Sequence, residues 1–238
     1  LDMVHQKNAA TDFDFLTQGI EMYIEGDWVK AKGTTLGADN GLGVATIMAI
    51  LESKDIPHPA LEALFTIDEE TGMTGAMGLQ QGVLKGNILL NLDTEDDNEI
   101  GVGCAGGVDV TASRTYFEEP LPEGFVGFSL SVKGLQGGHS GMDIHKGFGN
   151  ANKLISRLLC DGFNLYRLRI SKIDGGSLRN AIPRESSAVV AVDAVYQDSF
   201  VRATETLIDA IEKEFKTIEP DLIISLNPCS LPKSVMEL

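Results

Sequence analysis

The chain is short of positive charge, cysteine, histidine, aromatic rings and long apolar runs. Nineteen Lys and Arg face thirty-five Asp and Glu over 238 residues, a formal net charge of −16. With no Lys/Arg-rich patch to offset it, that balance argues against a nucleic-acid or anionic-membrane partner. The three cysteines, Cys104, Cys160 and Cys229, are odd in number and far apart. They form neither a disulfide framework nor a CxxC site, and a reducing cytoplasm is the natural home. No apolar run approaches the ~20 residues that span a bilayer, and no signal-peptide pattern opens the chain. The remaining composition is that of an ordinary globular protein, 43% hydrophobic and 23% charged, long enough for one or two domains with a substantial core. Leu1-Asp2-Met3-Val4 reads as a strand already under way, and Ser234-Val235-Met236-Glu237-Leu238 stops without a closing element. The expectation is a segment of a longer protein.

Acid is what the chain has in quantity, and its placement has a pattern. Leu64-Phe65-Thr66-Ile67 is an apolar, strand-like run that breaks into Asp68-Glu69-Glu70 before Thr71-Gly72. Three adjacent carboxylates at a strand end repel one another, and a divalent metal is the usual relief; a solvated acidic turn would read the same in isolation. Residues 87–92 are a second apolar run, and it too ends in an acid, Asp93. Between the opening strand and these runs, Met22-Tyr23-Ile24 and Trp28-Val29-Lys30 read as a hairpin about Gly26-Asp27. Residues 33–41 form a glycine-rich loop leading into a helix on which Val44, Ile47, Met48 and Leu51 keep a 3.6-residue spacing. Asp39 falls at or just before the N-terminus of that helix, as a plain N-cap or as an acid favoured by the helix dipole. A further short helical segment is expected near residues 74–80.

Strand, helix, strand, helix, strand implies an α/β layer with a mostly parallel sheet, whose ligand crevice lies beyond the carboxyl ends of the strands. Asp68, Glu69, Glu70 and Asp93 would be delivered to that edge, with Asp39 and Asp2 arriving from neighbouring segments. Four segments converging acids on one crevice favour a metal site over a chance acidic turn. Residues 99–110 are glycine-rich and read as a strand crossing between layers, with a domain boundary near Gly106. They match neither a Walker loop nor a GxGxxG that opens a helix.

The second half follows a different pattern. Strands are expected over residues 128–132, 165–170, 188–195 and 222–226. Helices are marked by Ala151, Leu154, Ile155, Leu158 and Leu159, and by Phe200, Ala203, Leu207, Ile208, Ile211 and Phe215. That order is the ferredoxin-like β-α-β-β-α-β unit; an RNA-binding reading of it fails on charge and on the lack of an RNP1-like aromatic strand. Two stretches are not explained by core building. Gly137-Gly138-His139-Ser140-Gly141 sets a histidine in a flexible loop, and Asn180-Ala181-Ile182-Pro183-Arg184 presents an amide and a guanidinium near a strand start. Taken separately, each would pass as a solvated loop.

Together these stretches resemble the bacterial aminoacyl-histidine dipeptidases (peptidase D), of the two-zinc aminopeptidase, carboxypeptidase and deacylase clan with a lid domain. The resemblance is carried in order by residues 1–4, 33–41, Glu69-Glu70-Thr71-Gly72, Asn91-Leu92-Asp93, residues 102–107, 137–141 and 178–185. It implies an α/β fold: part of a mostly parallel-sheet metallopeptidase catalytic domain over residues 1–106, then a ferredoxin-like lid domain, itself incomplete, over residues 107–238. It implies two Zn2+ ions, with Mn2+ or Co2+ as alternatives, bridged by Asp39 and ligated by Glu70 and Asp93. Glu69 would be the general base, Asp2 an acid that orients the site, and His139 the group that stabilises the oxyanion. Asn180 would contact the dipeptide substrate. A homodimer through the lid is implied as well.

Adjacent Glu69 and Glu70 can act as base and ligand only if an irregular backbone turns both toward one crevice, because on a regular strand they face opposite ways. The family's first ligand histidine would fall just before Leu1, and its last in a C-terminal part, so neither is present; His5 and His58 lie in no matching motif. Asp193-Ala194-Val195 lacks the arginine of the clan's Asp-x-Arg. This stretch alone is therefore expected to bind zinc poorly and to turn over little. The alternatives are an N-acyl amino-acid deacylase on the same scaffold and a non-catalytic metal-binding module. The base beside a ligand favours the enzyme.

Overall fold

The computed structural model describes residues 3–8, 10–37, 39–94, 98–103 and 106–237. It divides into two compact units, Leu1–Cys104 and Ala105–Leu238.

In the first unit, β1 (Met22–Glu25) and β2 (Trp28–Ala31) pair antiparallel with Glu25 opposite Trp28, so the loop is Gly26-Asp27 as expected. Helix α1 (Gly41–Glu52) keeps its apolar spacing but covers little with it: Met48 and Leu51 are 60% and 50% exposed. Two single helical turns follow, α2 (Glu69–Gly72) and α3 (Thr74–Met77). The parallel sheet expected here is not formed among the described residues, where every strand pairing is antiparallel. Residues 64–67 and 87–92 have no ladder partner and are not strands, and Ile88, Leu89 and Leu90 are each more than three-quarters exposed. An apolar run becomes a strand only when a neighbour accepts its backbone hydrogen bonds. The described part of residues 99–110 likewise forms no strand, and Ile100 and Val102 are fully solvated.

The second unit holds the core. Strands β4 (Phe125–Lys133), β5 (Arg169–Gly175), β6 (Ser186–Asp193) and β7 (Ile223–Cys229) make one antiparallel sheet in the order β5-β6-β4-β7. Helices α4 (Ala151–Tyr166) and α5 (Gln197–Phe215) complete β-α-β-β-α-β. Three-residue strands β3 (Glu118–Pro120) and β8 (Ser234–Met236) pair beside it, and Arg169 fastens them by bonding Glu119 and the Met236 carbonyl, both at 2.8 Å.

Alternation along β4 and β6 turns Phe128, Leu130, Val132, Ala188, Val190 and Val192 inward. They meet Leu154, Ile155 and Leu158 of α4 and Phe200, Ile208 and Ile211 of α5. Phe200 packs against Phe128 and Tyr166 with ring centroids 5.5 and 5.9 Å apart. Each of these buried side chains contributes about 1.5–3 kcal/mol. The strand expected from residue 165 instead begins at Arg169. Helix α4 runs on to Tyr166 and closes at Arg167, in the left-handed region (φ 55°), with the Leu168 N–H donating to the Gly162 carbonyl at 3.2 Å.

Candidate functional site

In the first unit the backbone reverses at Asp68, a non-glycine residue at φ 59° and ψ 40°. Its carboxylate accepts the Thr74 hydroxyl at 2.6 Å, which braces the reversal. Glu69 and Glu70 are therefore the first residues of α2 rather than the end of a strand. On a helix, successive side chains diverge by about 100°, against about 180° on a strand. The backbone at Glu69 and Glu70 is thus not that of a regular strand.

Asp39 does not cap α1. That position belongs to Asn40, whose Oδ1 accepts the Gly43 N–H at 2.8 Å. Gly43 is buried against this amide, and a Cβ there would lie 2.5 Å from Asn40 Nδ2. The same Asn40 donates through Nδ2 to the Leu92 carbonyl at 2.7 Å. One asparagine thereby ties the segment of Asp39 to the segment of Asp93, each acid being the chain neighbour of a residue in that bond. Asp93 is set by its own turn, its N–H donating to Asn91 Oδ1 at 3.0 Å. Both acids are exposed. Among the described residues no group of three or more His, Cys, Asp or Glu stands where it could hold a metal ion. The donor chemistry of Asp39, Glu70 and Asp93 suits a divalent metal, but this fold does not gather the three. Asp2 lies outside the described residues.

In the second unit the two unexplained stretches meet. His139 bridges antiparallel to Ala181, with Ser140 N–H donating to the Asn180 carbonyl and Ile182 N–H to the Gly138 carbonyl, both at 2.8 Å. His139 and Asn180 therefore lie one residue out of register across this short bridge. The ladder leads directly into β6, whereas Asp193 ends that strand at the far side of the sheet. There Asp193 accepts the Val195 N–H at 3.1 Å and pairs with Arg167 at 3.2 Å.

The imidazole of His139 is exposed but fixed. Its Nδ1 accepts the N–H groups of Gly141 and Met142, both at 3.1 Å, so in the neutral ring the proton is assigned to Nε2. The His139 N–H donates to Asp143 Oδ2 at 2.7 Å, and Lys146 reaches the other oxygen of the same carboxylate at 2.7 Å. The Lys146 hydrogen bond first, and the His139 N–H second, hold the Asp143 carboxyl below its ordinary range. Gly138, at φ 152°, leaves room for this carboxylate: a Cβ would stand 2.8 Å from Asp143 Oδ2.

Asn40 ties the segments of Asp39 and Asp93, and Asp143 holds the His139 N–H; sequence reading passed over both. The signals were there: an asparagine beside Asp39 at a helix start, and an acid four residues after a loop histidine.

Residues 124–219, and with them the ferredoxin-like sheet and helices, match the peptidase dimerisation domain. The chain has a mixed α/β fold. Over 236 residues, 99% of this chain, it is 46% identical to the cytosol non-specific dipeptidase of Escherichia coli (strain K12), covering 49% of that protein. The crystal structure of aminoacylhistidine dipeptidase from Vibrio alginolyticus is 47% identical and matches 100% of this chain and 48% of its own, with a TM-score of 0.62. Peptidase T of Citrobacter koseri is 33% identical over 143 residues, 47% of this chain and 35% of that protein. This chain spans about half the length of its two dipeptidase relatives. No helix among the described residues is long and apolar enough to cross a membrane.

Proposed function

We propose that this chain is part of a cytoplasmic, metal-dependent dipeptidase that hydrolyses Xaa-His dipeptides such as carnosine and other dipeptides without strict selectivity. The reading is supported by identity to two dipeptidases along the whole chain, combined with a turn that opens a helix on Glu69 and Glu70. Asp39, Glu70 and Asp93 are the carboxylates that would hold two zinc ions, or manganese or cobalt, once the rest of the donor set is supplied. Such ions polarise a scissile carbonyl and acidify water near neutral pH. Glu69 takes a proton from the attacking water as its oxygen bonds to the carbonyl carbon. The same carboxyl then passes that proton to the amine nitrogen as the C–N bond breaks. His139, with Nε2–H free of the loop, donates to the oxyanion, and Asn180 contacts the substrate from the adjoining turn. Asp2 helps orient the site. The dimerisation domain assembles the protein as a homodimer.

The test is hydrolysis by the full-length protein of carnosine, a dipeptide panel and N-acyl amino acids, metal-stripped and then restored, and again as Glu69→Gln. Dipeptide cleavage that returns with zinc, and falls about 10²–10⁴-fold in kcat in the variant at unchanged metal content, is the expected result. Cleavage confined to N-acyl amino acids would reassign the protein as a deacylase. Metal binding without any cleavage would make it a non-catalytic module.

A further inference from the structure

The loop that carries His139 leaves β4 and returns to α4, and both its feet stand on one buried acid. Glu219 is 1% exposed, in the turn between α5 and β7. Its Oε2 accepts the Gln136 N–H at 2.8 Å, and its Oε1 accepts the Gly149 N–H at 2.7 Å. Gln136 answers by donating its side-chain amide to the Ile218 carbonyl. Just before the first foot, Leu135 is buried, and its carbonyl accepts from the Arg184 guanidinium at 3.1 Å, which joins the Asn180 side of the ladder to the same base. Among the described residues Glu219 makes no ion pair; its carboxylate is met by backbone N–H groups. A buried carboxylate is costly unless its hydrogen bonds are made. Core packing alone would be served as well by an apolar residue, and nothing in the sheet or helices uses this charge.

We propose that Glu219 is a positioning residue for His139, a clamp that sets the span of the loop so that the imidazole keeps its Nε2–H tautomer and its place beside Asn180. This deepens, and rests on, the reading of His139 as the oxyanion donor. His139 is three residues from the first foot, and Asp143, which holds the His139 N–H, is six residues from the second. A carboxylate offers an acceptor to each foot at once. An amide of the same shape offers one acceptor and turns an N–H₂ against the other foot.

The experiment is nitrogen-15 NMR of the His139 ring, with amide hydrogen exchange, in this chain and in Glu219→Gln. The expected result keeps exchange protection in β4 and β6, speeds exchange of Gln136 and Gly149 at least about tenfold, and collapses the separated Nδ1 and Nε2 shifts of His139 toward averaged values. If Gln136 and Gly149 lose protection while the ring signature of His139 stays unchanged, the clamp does not position the histidine and the proposal fails. If the amide variant loses core protection as well, Glu219→Asp, which keeps both acceptors on a shorter stem, is read by the same ring signature. The readout is a tautomer, not turnover. Should His139→Ala leave hydrolysis by the full-length protein intact while the clamp behaves as expected, the catalytic reading falls and the clamp stands.

Discussion

Gly138, His139 and Asp143 form a unit in which each residue explains the next. The glycine makes room for the carboxylate, the carboxylate holds the histidine N–H, and the ring folds back onto Gly141 and Met142. Gly138→Ala brings a Cβ within 2.8 Å of Asp143 Oδ2 at a backbone angle that side chains rarely adopt. Urea unfolding of the chain is expected to register about 1–3 kcal/mol of destabilisation. A loss under about 0.5 kcal/mol would mean the carboxylate can give way without cost. The same carboxylate gives the loop a pH dependence of definite sign. Its folded value lies below 3.8, held down by Lys146 and the His139 N–H. What it contributes is therefore fully present above 3.8 and is lost as pH falls through the lower folded value. Exchange of the His139 amide, corrected for its intrinsic rate, should stay flat from neutral pH down to about 4 and accelerate below it. Acceleration that begins well above pH ~4 would mean that the Asp143 carboxylate is not what holds this amide.

At the level of elements, leucines on a long amphipathic helix and on the short α1 make opposite predictions. Leu158 on α4 is 1% exposed inside the sheet-and-helix core, whereas Leu42 on α1 is 80% exposed. Leu158→Ala should cost about 2–5 kcal/mol through the cavity it leaves, and Leu42→Ala should stay within about 0.5 kcal/mol; paired denaturant melts check both. The contrast also marks what could be read from residues alone. The β-α-β-β-α-β order was legible because β4 and β6 alternate cleanly and the helix stripes in α4 and α5 are broken by polar residues at the right spacing. The start of β5 was not: Leu165 and Tyr166 read equally well as helix or strand, and the boundary depends on Arg167 taking a left-handed conformation that its side chain does not announce. The β3–β8 ribbon was invisible, since three residues carry no periodicity. The apolar runs at 64–67 and 87–92 look like strands in sequence, but pairing is a property of neighbours. For the candidate site, the need for an irregular backbone at Glu69 and Glu70 was legible. The connections made by Asn40, Asp143 and Glu219 were not, because each joins segments far apart along the chain or through backbone groups.

Across the whole molecule, order and chemistry are unevenly shared. Every large buried apolar side chain among the described residues lies in the second unit, from Phe128 to Val235. The acids proposed to hold metal lie in the first, on segments tied by hydrogen bonds such as Asn40 to Leu92 rather than by a packed core. Metal affinity depends on donors held in place before the ion arrives, and each supporting interaction left out typically weakens it 10–100-fold. Carboxylates on separate segments, with no third donor gathered beside them among the described residues, lack that preorganisation. Zinc titrated calorimetrically into this chain should therefore bind with a Kd of ~1 µM or weaker. The full-length protein, which would supply the remaining donors, should bind at least ~100-fold more tightly. Asp93→Ala should weaken the full-length protein sharply and change the isolated chain little. Nanomolar zinc binding by the chain itself, abolished by Asp93→Ala, would mean that its own acids close a complete site. In that case the division of labour between these residues and the rest of the protein would have to be redrawn.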